Sequence, residues 1–123
     1  MIAGIGLDIV ELERIAKLDA RSLKFRSRIL TKEELEIYDR LTDHRRTEFL
    51  AGRFAGKEAF AKANGTGIGA MCNFTDIEIL PEKSGKPILY FKECLVSGFV
   101  SITHTKTVAA AQVILLQQKT SPL

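Results

Sequence analysis

The sequence predicts an α+β fold in which one long helix packs on a mostly antiparallel sheet. Three observations lead there: the chain opens on an apolar strand-like run, its middle has helical periodicity, and after residue 74 the apolar residues recur with a period of two. At 123 residues, 46% hydrophobic and 27% charged, the chain can bury a real core without disulfides or structural metal. Residues 1–116 are expected to form one domain, followed by a flexible tail over 117–123.

In MIAGIGLDIV, β-branched residues at Ile2, Ile5 and Ile9 alternate with small ones, which reads as a buried strand with Asp8 near its C-terminal end. LERIAKLDA and TKEELEIYDRL have helical spacing, and Thr31 followed three residues later by Glu34 matches a capping box, so two short helices are expected. The longest helix runs from about 45 to 63, with Phe49, Leu50, Phe54 and Ala61 as an apolar stripe and Asn64-Gly65 as its end. FTDIEIL then alternates strictly, SGK-Pro87 makes a turn, and PILYF, FVSIT and TVAAAQVILL read as strands of an antiparallel meander. The expected sheet has about four or five strands. There is no internal repeat, and the long apolar terminal strands point to self-association.

Net charge is +3, with 18 Lys and Arg against 15 Asp and Glu, too mild an excess to argue for nucleic acid. Its distribution is more telling: Arg14, Lys17, Arg21, Lys24, Arg26 and Arg28 face a single acid, Asp19, in a segment suited to an anionic partner. Cys72 and Cys94 lack CxxC spacing, which suggests neither zinc nor a disulfide framework but reduced thiols. No basic start precedes a long apolar run and nothing reaches membrane-spanning length, so a soluble cytoplasmic protein is expected.

Residues four apart share a helix face, which stacks Glu58 with Lys62 and Arg53 with Lys57. That is either a solvated face with intrahelical ion pairs or one wall of a site for a phosphorylated ligand and a metal. Asp8 favours the site, because an acid in an apolar strand needs solvent, a partner or a cation. Magnesium takes one or two protein carboxylates and completes its shell with water and phosphate, which suits Asp8 with Glu58. Arg53, Lys57 and Lys62 would neutralise those phosphates. GTGIG at 65–69 follows a helix rather than preceding one and reads as a helix-ending turn before a phosphate nest. SITHTK at 101–106 places His104 between hydroxyls and beside a lysine, equally suited to anion binding and to a hairpin turn. His44 and His104 are the only histidines, and neither completes a nucleophile set.

Taken together, GIGLDIVELERI (4–15), RFAGKEAFAKANGTGIG (53–69), SGKP (84–87) and SITHTKTVAAAQVIL (101–115) resemble the short-chain 4'-phosphopantetheinyl transferases, the holo-[acyl-carrier-protein] synthase family. The resemblance implies transfer of 4'-phosphopantetheine from coenzyme A to a serine of apo-acyl carrier protein, releasing adenosine 3',5'-bisphosphate. It implies Asp8 and Glu58 as magnesium ligands and Lys62 beside the pyrophosphate. Arg53, His104 and Thr105 then match positions at the 3'-phosphate end of the coenzyme, and Gly85 and Pro87 fall near its adenine. Arg14 and Arg21, with Phe25 and Phe74, correspond to the surface for the acidic carrier protein. Homotrimers with sites between subunits are implied as well, one subunit giving the Asp8 and Glu58 side and the next much of the basic rim. Two other readings compete: a non-catalytic module for an acidic protein, and another magnesium-dependent nucleotide enzyme such as a small phosphohydrolase.

Overall fold

The computed structural model describes residues 1–118 and has the order β1 (Ile2–Glu11), α1 (Leu12–Arg21), α2 (Lys24–Ile29), α3 (Lys32–Arg40), α4 (Asp43–Asn64), a 3-10 turn (Phe74–Asp76), β2 (Ile77–Pro81), β3 (Pro87–Phe91), β4 (Cys94–Leu95), β5 (Gly98–His104) and β6 (Val108–Leu116). The strands form two three-stranded antiparallel sheets, ordered β1-β6-β5 and β2-β3-β4. A single sheet of four or five strands is therefore corrected to two. The chain's first and last strands pair in the larger sheet, whereas the hairpin of β2 and β3 makes a separate one, with β3 beside β5. The expected tail falls mostly on 119–123, outside the described residues; Gln117 is held by its N–H to Met1 O at 2.9 Å.

Helix α4 is the centre of the molecule. Leu50, Ala51, Gly52, Ala55, Gly56, Lys57, Ala59, Phe60 and Ala61 are all buried, so it carries no simple apolar stripe but is covered on several sides. It lies on β1, β6 and β5 and also meets α1 to α3 and β2, with Gly56 facing both Ile79 of β2 and Ile102 of β5. Its small residues permit this double packing, and Phe60 reaches Phe91 of β3 with ring centroids 5.0 Å apart. Gly65 ends the helix in the left-handed conformation, φ 81°, and its N–H returns to Ala61 O and Lys62 O, as a glycine C-cap does. GTGIG is thus a cap and turn.

Strand β1 is not buried on both faces. Ile5, Leu7 and Ile9 are 58%, 62% and 66% exposed, while Gly4, Gly6, Asp8 and Val10 face the helix. The reason is distance: a Cβ added at Gly6 would overlap the carbonyl oxygen of Ala59, and one at Gly4 that of Ala63. The alternation was legible, but the small residues and not the isoleucines are the inner set.

The capping box of α3 forms as its sequence predicts, with Glu34 N–H donating to Thr31 Oγ1 at 3.3 Å and Thr31 N–H donating to Glu34 Oε1 at 2.8 Å. Glu34 does more than cap. It is fully buried and also accepts from Lys57 Nζ at 2.6 Å and from Ile79 N–H at 2.8 Å, joining α3, α4 and β2.

Candidate active site

Asp8 lies on the inner face of β1, across from Ala111 of β6, with its side chain 17% exposed. Two residues earlier in that row, Gly6 lets α4 approach closely enough for Lys62 to lie over the strand. Lys62 Nζ donates to Leu7 O at 3.0 Å and to Asp8 Oδ1 at 3.2 Å. Glu58 stands half-buried on the same flank. Desolvation pushes its carboxyl above the ordinary glutamate range, the negative charge of Asp8 pushes the same way, and Lys62 and Arg14 oppose both. Two carboxylates crowded in a partly dry corner form a donor set that a hard divalent cation relieves, with positions left for water and substrate oxygens. Among the described residues no cluster of three or more His, Cys, Asp or Glu offers a more complete cage.

A second feature lies toward the N-terminal half of α4. A cavity of about 430 Å³ is lined by Leu41, Arg45, Glu48, Phe49, Gly52 and Arg53 from the helix and its approach, by Gly85 and Pro87 from the β2–β3 hairpin, and by Ile102 and His104 from β5. Gly85 has φ 91°, and its turn is closed by Gly85 N–H to Glu82 O at 2.8 Å and Glu82 N–H to Lys86 O at 2.9 Å. Arg53 is fixed in place: Nε donates to Ile79 O at 3.1 Å and the guanidinium stands 4.3 Å over the Phe49 ring. Desolvation lowers its pKa from the ordinary arginine value, which still leaves it a cation. His104 Nδ1 lies 3.1 Å from Glu48 Oε2. Thr105 shapes the turn into β6, its hydroxyl accepting from Thr107 N–H at 3.2 Å and Val108 N–H at 3.1 Å.

These two features do not share one wall. Glu58 follows Arg53 by five positions, about 140° around an α-helix at 3.6 residues per turn. Asp8 is on one edge strand of the larger sheet and His104 on the other. The sequence-based grouping of Arg53, Lys57 and Lys62 around one metal is thus corrected: of these three cations, Lys62 alone accompanies Asp8 and Glu58 within the chain. Lys62 also pairs with Asp8 rather than forming the intrahelical pair with Glu58.

Lys57 requires a second correction. As a residue against the coenzyme's phosphates it would have to reach solvent, yet it is fully buried, with Nζ donating to Glu34 Oε1 and Ile29 O, each at 2.6 Å. Burial pushes its pKa down, and the Glu34 charge holds it up. Neighbouring positions on a helix point about 100° apart. That places Lys57 in the core and Glu58 at the corner.

Of the residues matched to a carrier surface, Arg14 and Arg21 are exposed on α1 and line a shallow depression of about 280 Å³ with Lys17 and Leu18. Phe25 and Phe74 are half-buried and both stack on Phe54, with centroids 6.5 Å and 5.3 Å away. Arg26 is withdrawn from the basic segment, its guanidinium held by both Asp19 oxygens at 2.9 Å and lying over Tyr38. Arg45 and Glu48 had drawn no expectation from the sequence. The signal existed, because 45, 48, 49, 52 and 53 recur at one helical face, but Phe49 read as core.

Comparison with known proteins agrees over nearly the whole chain. Residues 4–114 match the 4'-phosphopantetheinyl transferase superfamily. The holo-[acyl-carrier-protein] synthase of Bacillus subtilis is 56% identical over 116 residues, covering 94% of this chain and 96% of that protein. That of Geobacillus sp. is 54% identical over 117 residues, covering 94% and 97%. Among solved structures, the holo-(acyl-carrier-protein) synthase from Bacillus anthracis in complex with CoA (3',5'-ADP) superposes with a TM-score of 0.84 at 50% identity, covering 94% of this chain and 96% of that one. The α+β architecture, the cornered carboxylates and these likenesses together place the chain in the 4'-phosphopantetheinyl transferase superfamily.

Proposed function

We propose that this protein is a magnesium-dependent holo-[acyl-carrier-protein] synthase. It transfers 4'-phosphopantetheine from coenzyme A to a serine of apo-acyl carrier protein, giving holo-acyl carrier protein and adenosine 3',5'-bisphosphate, in fatty acid biosynthesis. The observation that carries this reading is the corner where Asp8, Glu58 and Lys62 meet, in a chain belonging to this superfamily. Asp8 and Glu58 are the residues that would hold magnesium. When bound, the ion neutralises pyrophosphate oxygens and makes the phosphorus more electrophilic.

The protein's own groups supply positioning and charge. Lys62, tethered to Leu7 O, exchanges its contact with Asp8 for a pyrophosphate oxygen and offsets the charge developing there. The serine Oγ forms a bond to the β-phosphorus, while the bond from that phosphorus to the bridging oxygen breaks and its electron pair leaves with adenosine 3',5'-bisphosphate. The serine proton passes to a water held beside Glu58. Arg53, His104 and Thr105 take the 3'-phosphate end of the coenzyme, with Gly85 and Pro87 near the adenine. Arg14, Arg21, Phe25 and Phe74 meet the acidic carrier, whose approach the basic segment accelerates at low salt.

The active assembly in this reading is a homotrimer, with the carboxylate corner of one subunit completed by the cation-lined cavity of the next. Two facts support it: the features face apart within one chain, and the outer sheet face exposes Ile5, Leu7, Ile9 and Phe99. The protein acts in the cytoplasm, where Cys72 and Cys94, both free, remain reduced. The test is intact-mass analysis of apo-acyl carrier protein incubated with the protein, coenzyme A and magnesium. The carrier should gain one phosphopantetheine, and Asp8→Ala should slow the gain by about a hundredfold or more, as loss of a metal ligand does. An unmodified carrier in the presence of folded wild-type protein would sink the reading.

A further inference from the structure

Glu48 is out of place by charge alone. It lines a cavity whose other ionisable groups are Arg45, Arg53 and His104, a lining built for an anion, and a carboxylate there opposes the ligand. Its side chain is only 22% exposed. Neither arginine claims it: Arg53 is committed to Ile79 O and the Phe49 ring. Glu48 Oε2 instead lies between two imidazoles, 3.1 Å from His104 Nδ1 and 3.6 Å from His44 Nε2. The His44 contact is an i, i+4 neighbour on an exposed helix surface, where such pairs contribute little. The His104 contact joins α4 to the end of β5, two elements far apart in sequence, at the rim of the cavity.

We propose that Glu48 is a positioning residue for His104: its carboxylate engages Nδ1, fixes the ring, and leaves Nε2–H directed away from Glu48 toward the phosphate that distinguishes coenzyme A from 3'-dephospho-coenzyme A. This rests on the reading of the cavity as the seat of the coenzyme's 3'-phosphate, and deepens it by naming what makes the site selective. A histidine has two ring nitrogens, and the partner of one decides what the other presents. A carboxylate on Nδ1 keeps a proton there and makes Nε2 a donor when the ring is charged, which an anionic ligand favours. The gain from an oriented donor outweighs the repulsion of a carboxylate lying behind the ring, since the closer, charge-assisted contact is the stronger.

The experiment is calorimetric titration of wild type, Glu48→Gln, His104→Ala, the double variant and His44→Ala with coenzyme A and with 3'-dephospho-coenzyme A, alongside long-range nitrogen–proton NMR of the His104 ring. Glu48→Gln should weaken coenzyme A about tenfold, the scale of one charge-assisted hydrogen bond. It should leave the dephospho form within about twofold and shift the His104 nitrogen resonances, and His44→Ala should change neither affinity. In the His104→Ala background, Glu48→Gln should weaken nothing further and can tighten coenzyme A, because a negative charge leaves the cavity. The proposal is overturned if Glu48→Gln tightens coenzyme A in the presence of His104, weakens both ligands alike, or has the same effect with and without His104. Equal affinity of wild type for the two ligands would remove the 3'-phosphate reading itself, a distinct failure.

Discussion

Lys57 and Glu58 are adjacent in sequence and face opposite environments, so they respond differently to substitution. Lys57→Met leaves Glu34 buried and short of its partner, and should destabilise the protein by about 3–5 kcal/mol, the range for half of a buried ion pair. The double variant Glu34→Met/Lys57→Met should recover much of that loss despite losing the capping box, and urea denaturation of the three variants would check it. A single variant as stable as wild type would mean that water or another cation reaches Glu34. Glu58 behaves in the reverse sense. Its folded-state carboxyl is held above its ordinary value by desolvation and by Asp8, so the folded state binds more protons than the unfolded chain within that window. Stability therefore falls as pH rises through it. Glu58→Gln should raise the metal-free Tm at neutral pH, with the gain fading as the pH drops below the ordinary glutamate pKa. Magnesium should raise the wild-type Tm and not that of the variant, and thermal scans across pH would read both effects.

The elements show where periodicity suffices and where it does not. The capping box at Thr31, the glycine cap at Gly65 and the alternation of β2, β5 and β6 were legible because each is specified locally. Helix α2 was not: six residues, KFRSRI, are too few to show a period. The two-residue strand β4 was equally invisible. The inner face of β1 was misjudged because hydrophobicity says which residues avoid water, not which ones a helix backbone can approach. Gly4 and Gly6 face inward because α4 lies on them without room for a Cβ. Gly6→Ala should accordingly cost about 3 kcal/mol, at the upper end for overpacking, and displace α4 from β1. Chemical denaturation would measure the first effect and loss of magnesium affinity the second. A fully stable Gly6→Ala protein would show that α4 can shift without penalty.

At the scale of the whole molecule, the outer face of the β1-β6-β5 sheet exposes Ile5, Leu7, Ile9 and Phe99 beside Ser101, Thr103 and Gln112, with the carboxylate corner at one edge of the sheet and the cation-lined cavity at the other. Association through that face is the economical way to bring an edge of one copy to the opposite edge of another. Leu7, 62% exposed midway along β1, is the residue to change. Leu7→Glu buries an unpaired charge in any such interface and should give a folded monomer by analytical ultracentrifugation, with phosphopantetheine transfer lost. A monomer with full activity would refute the composite site. The sequence by itself determined the order of the longer elements and the caps at Thr31 and Gly65, and it singled out Asp8, Glu58 and Lys62, because periodicity, capping chemistry and an acid in an apolar strand are each written locally. Only the tertiary structure decided that Lys57 belongs to the core with Glu34, that β1 turns its isoleucines outward, and that Arg53 and His104 stand across the molecule from Asp8. Those outcomes depend on which distant backbones approach each other and on how helix rotation divides neighbouring side chains between core and surface.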